Sequence, residues 1–415
     1  TWAAHVPRLH PSDFRRRTLD GVGDDWPFSY FDLERHYDEN DVAMGVAGLA
    51  GDPAYPPKRS QRMPPLPIGR MGRVAARAFD TLGWHWWPVD AAINSVAHDG
   101  RPACSNAGPC LMGCPIRAKS SADLTYWPKA LWNGVELRTR CVTQRIVVEG
   151  GRATGVVYRD ETGATCEQPA DLVVVAGNGI GTARLLLASE VGGDAVGRYL
   201  MFHPIAYARG MFRDELDGPA GPVGGSIYSH ELYEEHRIQL QITRENSLLA
   251  QALRLGPAWG VDAHRLVREE FRHSLPVMVV VEDAPEPQNR VMLNDTVESD
   301  GLPGVRVEYT LSEASRRALD LGLDRAEELL RVAGAHRVTR VPLAPLTGWH
   351  LLGTARMGDD PRASVTDASG RCHGVRNVVV ADGSLFPTVG AVNPGATIGA
   401  LALRIADGVA ERMAA

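Results

Sequence analysis

Cysteine is scarce: six in 415 residues, too few to staple a chain of this length through disulfides. Long apolar runs are missing as well. No stretch approaches the roughly 18 to 20 residues that a helical membrane span requires, and the opening residues do not read as a signal sequence. Basic runs long enough to track a nucleic acid are absent too. The formal charge is −6, and no stripe of lysine and arginine follows a phosphate backbone, which argues against nucleic acid as a partner. Arg15-Arg16-Arg17 reads as solvated surface. What remains, 44% apolar, 23% charged and 7% aromatic residues, is ordinary globular composition, and the length implies about two domains. The sequence opens on Thr1 with Trp2 already in an apolar stretch, and so reads as a chain whose beginning has been removed or is supplied separately.

Residues 1 to 70 are rich in turn signals such as Asp52-Pro53 and Met63-Pro64-Pro65, which discourage long regular elements. Helical spacing predicts a helix over Gly69 to Leu82, stopped by Gly83, and another through Tyr126 to Trp132. From Glu136 to Val175 the pattern turns to short β-rich runs broken by Glu149-Gly150-Gly151 and Glu161-Thr162-Gly163, a small meander feeding a buried strand at Leu172 to Ala176. Alternating runs in 197 to 345, HRIQLQIT, LPVMVVVED, NRVMLN and GVRVEYT, fit an antiparallel sheet backed by a helix from Glu313 to Ala333. A last helix, Ala396 to Met413, follows Asn393-Pro394-Gly395 and offers free amides at its mouth.

Gly177-Asn178-Gly179-Ile180-Gly181 follows the buried strand and imitates a dinucleotide fingerprint. Thr182 stands where the third glycine belongs, and no acidic residue closes a second parallel strand about 20 residues on. The segment reads better as a late strand and helix of a nucleotide-binding sheet whose fingerprint lies elsewhere.

Two further constellations carry chemistry. Near the C-terminus, Trp349-His350-Leu351-Leu352-Gly353-Thr354, the strand Asn377 to Gly383 and Val392-Asn393-Pro394 put one imidazole and one carboxamide on separate turns. A neutral imidazole can take a proton from a bound hydroxyl near neutrality. The plainer readings are a core histidine at 350 and a helix cap at Asn393. The loop Cys104-Ser-Asn-Ala-Gly-Pro-Cys110-Leu-Met-Gly-Cys114-Pro brings three thiols close enough in sequence to converge on one metal centre. Iron and sulfide suit three thiolates, zinc would need a fourth ligand, and a disulfide with a free thiol is the alternative. Cys141, Cys166 and Cys372 read as small core hydrophobes. In His230-Glu-Leu-Tyr-Glu-Glu-His236 the histidines stand too far apart for a zinc-protease helix, and a charged helical surface explains the run.

The strings WHLLGTARMG and VRNVVVADGSLFPTVGAVNPGATIGALALRIAD resemble the C-terminal portion of the glucose-methanol-choline (GMC) oxidoreductases. VGRYLMFHP at 196 to 204, EPQNRVML at 286 to 293 and the opening TWAAHVPRLHPSDF extend the likeness over nearly the whole chain. Within the family it resembles most the catalytic subunits of bacterial FAD-dependent glucose and gluconate dehydrogenases, which also carry spaced cysteines. The resemblance implies a mixed α/β fold, with a discontinuous Rossmann-like FAD-binding domain over 1–196 and 346–415 and an antiparallel-sheet substrate domain over 197–345. It implies FAD as cofactor, His350 as the base and Asn393 as the group that orients the substrate oxygen. Val142, Gly177, Asn178, Asp382, Gly383, Asn393, Pro394 and Thr397 become the candidate FAD cradle, and Cys104, Cys110 and Cys114 the ligands of a 3Fe-4S cluster.

The activity so implied is oxidation of a CH-OH group in a sugar, polyol or other alcohol, with electrons leaving through the cluster to a cytochrome or quinone. A small companion subunit and a cytochrome c subunit are the implied partners, and the periplasm or cell envelope the implied location, with the cytoplasm as alternative. The family's GxGxxG segment is absent from this sequence, so the missing FAD half is expected in the same or a second chain. An oxygen-using sugar or sterol oxidase without a cluster, and a non-catalytic fragment that has lost FAD, are the competing readings. His203, in the LMFHP turn, reads as a structural turn histidine as readily as a pocket residue.

Overall fold

The computed structural model describes residues 3–414 apart from 60–62, 109, 219, 223, 225, 245–258 and 346–347. Its largest sheet has six antiparallel strands in the order β1, β7, β8, β9, β6, β12. These are Trp87–Pro88 (β1), Ile227–Ser229 (β7), Ile238–Ile242 (β8), Ser274–Val281 (β9), Ile205–Met211 (β6) and Arg337–Val341 (β12). Side chains alternate across a pleated sheet, so each strand sends one set to each face. Ala206, Ala208, Leu240, Val277 and Val279 join a core built with the helices Gly69–Leu82 and Glu313–Val332. Tyr207 and Gln241 both pair with Met278 in register, one from each side of β9, and so form a row on the opposite face.

The helix Glu313–Val332 is capped by the Ser312 side chain, which accepts the Ser315 amide at 3.0 Å. Its buried Leu319, Leu323, Ala326 and Leu330 recur at helical spacing and face the sheet. The approach is close: a Cβ added at Gly322 would come within 2.3 Å of Val279 Cγ1. The helix Gly69–Leu82, predicted at those bounds, covers the same face through Met71, Ala75 and Phe79. That helix and β1 therefore pack with the strands of 205–341 although they precede them in sequence by more than a hundred residues.

A second layer holds β5 (Val173–Val175) parallel to β13 (Val378–Val380), in register Val173 to Val378. Asn377 ties this pair to the antiparallel meander β2 (Val142–Glu149), β3 (Arg152–Arg159) and β4 (Thr165–Pro169). Its amide donates to the carbonyls of Ala153 and Asp171 at 2.7 Å each, and its carbonyl accepts the Ala153 amide at 2.7 Å. β5 leads into the helix Asn178–Ala188, which packs against β2 and the strand Arg290–Val297. The helices Tyr30–Met44 and Gly395–Ala414 pack against each other in the main core.

Several expectations change. Residues 30–44 form a capped helix inside the stretch read as turn-rich: the Asp32 carboxylate accepts the Ser29 amide, and the apolar side, Leu33, Tyr37 and Met44, is buried. NRVMLN and GVRVEYT leave the main sheet to form a separate hairpin, β10 (Arg290–Val297) with β11 (Pro303–Glu308). The strand at 172–176 is buried on one face only, since Val174 is 52% exposed. Arg16 is not solvated surface but buried beside Glu282, at 2.6 Å. The run from His230 to His236 is charged helical surface only in part: Glu231, Glu234 and Glu235 are exposed, whereas His230 and Tyr233 are buried. Among the described residues, no helix is long and apolar enough to cross a membrane.

Candidate active site

The carboxyl ends of β5 and β13 open onto a cavity of about 470 Å3. Loops after parallel strands gather there because the strands point the same way, and a parallel sheet places its binding crevice at those ends. Ala176 and Asn178 line it from β5, and Asp382 and Gly383 from β13. Asn393, Pro394 and Gly395 line it at the mouth of the C-terminal helix, and Trp349 to Leu352 supply another wall. The polar face of the six-stranded sheet closes the far side with Tyr207, Gln241 and Met278.

Asp382 organises the cradle. One carboxylate oxygen accepts the Asn178 amide at 2.9 Å and the Thr182 hydroxyl at 2.5 Å, and the other accepts the Ser384 amide at 2.9 Å and hydroxyl at 2.6 Å. The carboxylate thus spends its acceptors on the chain itself and pins the two turns side by side. Asn178, at φ +68°, makes the turn from strand into helix, and its side chain accepts the Ile180 amide at 2.9 Å.

At the helix mouth the Ile398 amide already donates to Pro394. The amides before it in the first turn have no intrahelical partner. A Cβ at Gly395 would meet nothing nearer than 4.0 Å, so this edge of the cavity is open. Free amides, the positive end of a helix and an apolar floor at Val6 and Ile398 suit a flat ring bearing carbonyl acceptors, such as a flavin.

His350 and Asn393 face this one cavity. The Asn393 carbonyl accepts from Gln241 Nε2 at 2.8 Å, so its amide nitrogen is the end left to donate. Gln241 also donates to Gln239, and both glutamines are buried. His350 Nδ1 lies 2.8 Å from His203 Nδ1, with the rings at 80°. Burial first, then the neighbouring His203, hold the His350 pKa well below the usual histidine value, so its ring is neutral. His203 is itself fully buried, its pKa lowered by that burial to about 4, and its Nε2 lies 3.0 Å from the Gly390 carbonyl.

The predicted cradle is gathered only in part. Asn178, Asp382, Gly383, Asn393 and Pro394 line the cavity, and Gly177 sits between two lining residues. Val142 begins β2 and does not line the cavity. Thr397 is buried and shares a 2.7 Å hydrogen bond with Tyr37. Gln241 and Gly390 are what sequence reasoning missed, and His203, left open between turn and pocket, stands against His350. One signal was there: Gln239 and Gln241 alternate with apolar residues in a strand whose every residue is buried, which marks a polar face turned to a site instead of to water.

The three thiols of Cys104, Cys110 and Cys114 are free. Burial raises the Cys104 pKa, and Cys110 and Cys114 push it further the same way, so the three lie within electrostatic reach of one another. They are not within 4.8 Å as a set, too widely spread for one tetrahedral ion, whereas a cluster of several irons separates its thiolates further. Cys104 and Cys114 each accept a backbone amide at 3.4 Å, from Asn106 and Lys119. Asn106 and Gly113, at φ +56° and +116°, curl the loop; Pro109 lies outside the described residues. Leu111, between the second and third cysteines, lines the same cavity as His350.

Parallel strands opening on a cradle of backbone amides, faced by a neutral imidazole and a carboxamide across a substrate-sized cavity, define a cofactor-dependent oxidoreductase acting on hydroxyl groups. The chain belongs to the GMC oxidoreductase family, whose N-terminal model matches residues 70–205 and whose C-terminal model matches 285–402. It is 39% identical to 2-methyl-1,2-propanediol dehydrogenase of Mycolicibacterium austroafricanum, over 99% of this chain and 79% of that protein. It is 29% identical to the fructose dehydrogenase large subunit of Gluconobacter japonicus, over 98% of this chain and 78% of that subunit. Among solved structures it resembles an FAD-dependent oxidoreductase from Chaetomium thermophilum, with a TM-score of 0.65 at 15% identity, over 99% of this chain and 84% of that one. The protein is an oxidoreductase acting on alcohol- or sugar-type CH-OH donors, and its family supports FAD as its cofactor.

Proposed function

We propose that this protein is a dehydrogenase that oxidises an alcohol or sugar hydroxyl with His350 as base. The observation that carries this reading is that His350 and Asn393, on different turns, face one cavity together with the Asn178, Gly383 and Gly395 cradle. The substrate hydroxyl gives its proton to His350 while the Asn393 amide holds the oxygen, which aims the carbinol hydrogen across the cavity. Bound FAD supplies the acceptor for the hydride at N5. Residues 1–196 and 346–415 would form the FAD domain and 197–345 the substrate domain, with the helix Gly69–Leu82 and β1 lent to the substrate sheet.

Cys104, Cys110 and Cys114 would hold a 3Fe-4S cluster beside this cavity, giving electrons an exit other than oxygen. The position of Leu111 in the cavity wall and the amides donated to two sulfurs support this reading. A companion subunit and a cytochrome as acceptor follow from the same reading, and the relative from Gluconobacter japonicus is named a large subunit. The absorption spectrum and the iron and sulfide content of protein purified without oxygen test it. Flavin bands with a broad iron-sulfur shoulder support the dehydrogenase. Flavin bands alone, with the three cysteines intact and no iron, would turn the reading to an oxidase, and a colourless folded protein would remove both.

A further inference from the structure

We propose that His203 is a positioning residue that sets the tautomer of His350, leaving Nε2 as the basic nitrogen turned to the substrate. The inference rests on the reading of His350 as base, but its geometry stands apart from it. The Gly390 carbonyl can only accept, so at 3.0 Å the His203 nitrogen facing it, Nε2, must carry its proton. A neutral imidazole protonated at Nε2 has a lone pair at Nδ1. That lone pair faces His350 Nδ1 at 2.8 Å, so His350 must be the donor there and hold its own proton on Nδ1. The other tautomer of either ring would set two N–H groups, or two lone pairs, against each other at that distance.

Nε2 of His350 is then the unprotonated nitrogen, and it has no partner among the described residues. Once it takes the substrate proton, the imidazolium still donates from Nδ1 to His203, whose lone pair steadies the new charge. Gly390, the start of this relay, is itself held firmly. Its amide donates to the buried Glu282 carboxylate at 3.2 Å, and its backbone sits at φ +59°. Glu282 is in turn paired with Arg16 at 2.6 Å, so orientation passes from an ion pair through one glycine and two rings to the reacting hydroxyl. His203 does not line the cavity, and so acts only through His350.

Ring-nitrogen NMR of protein labelled with 15N-histidine, with the His350 signals assigned by their loss in His350→Ala, reads the tautomer directly in the unmodified protein. The expected pattern is Nδ1 protonated and Nε2 bare. His203→Leu should mix or invert it and lower kcat by about 10- to 100-fold, the usual cost of removing the partner that orients a working histidine. FAD content and KM should change little, and the acid limb of the kcat/KM profile should move. His203→Asn, which restores an acceptor near the Nδ1 position, should recover most of the loss. A wild-type His350 protonated at Nε2, or an unchanged tautomer and kcat in His203→Leu, would overturn the proposal. Failure of the base reading would show differently, as turnover surviving in His350→Ala whatever the tautomer.

Discussion

The Asp382 carboxylate accepts the backbone amide of Asn178 at 2.9 Å, joining the end of β13 to the start of the helix after β5. With the Thr182 hydroxyl on the same oxygen, this clamp sets the two turns of the cradle side by side. Asp382→Ala would strand several donors at a buried position and is expected to cost on the order of 3 kcal/mol. Urea unfolding and a flavin titration check this together: the midpoint should fall and FAD should bind more weakly. Unaltered values for both would mean that packing alone holds the cradle.

His350→Ala is expected to lower turnover by about 10²- to 10⁴-fold, the range for a lost general base, with FAD binding kept because the ring is not part of the cradle's framework. In the wild type, the lowered pKa of His350 places the acid limb of kcat/KM below 6.5, histidine's ordinary value. Wild-type turnover in the variant would take His350 out of the reaction.

Gly390→Ala tests the anchor of the histidine pair. The left-handed backbone costs a non-glycine residue about 1 to 2 kcal/mol. A Cβ would also come within 2.8 Å of Asp13 Oδ2 and Tyr233 Oη, both buried. A lower melting temperature and reduced kcat are expected together. Arg16→Met, which breaks the ion pair behind Glu282, should follow the same direction.

Asp283 gives the fold a pH dependence. Burial raises its pKa from 3.8 to about 7, against the hydrogen bonds it accepts from Phe202 and Tyr309. The folded state therefore binds this proton more tightly than the unfolded chain. The resulting stability is fully present below about pH 4, and is lost as the pH rises through about 7. Asp283→Asn keeps the shape without the charge. Its unfolding free energy, measured by urea denaturation from pH 5 to pH 8, should decline less than that of the wild type, and parallel curves would rule out Asp283 as the source.

Local pattern was enough for elements whose signal lies within one window. The helix Gly69–Leu82, the meander after Glu136 and the strands 238–242 and 274–281 are legible because amphipathic spacing and glycine stops act over a few residues. The helix Tyr30–Met44 was harder, since its apolar stripe is thin and its core is made by contact with the C-terminal helix. Arg16, His230 and Tyr233 read as surface because polarity is visible in a sequence and the partners that make burial tolerable are not.

The sequence by itself determined the family, the fold class and the two polar groups offered to a substrate, because WHLLGTARMG and the segment to Asn393 carry backbone and chemical demands in contiguous residues. Only the tertiary structure decided that they meet across one cavity, that the cysteine loop borders it, and that His203 stands behind His350. Those facts come from segments separated along the chain, packed by a core and oriented by hydrogen bonds such as that of His203 to the Gly390 carbonyl. Which ring nitrogen carries a proton is settled by such a neighbour, and a neighbour in space leaves no mark on the order of residues along the chain.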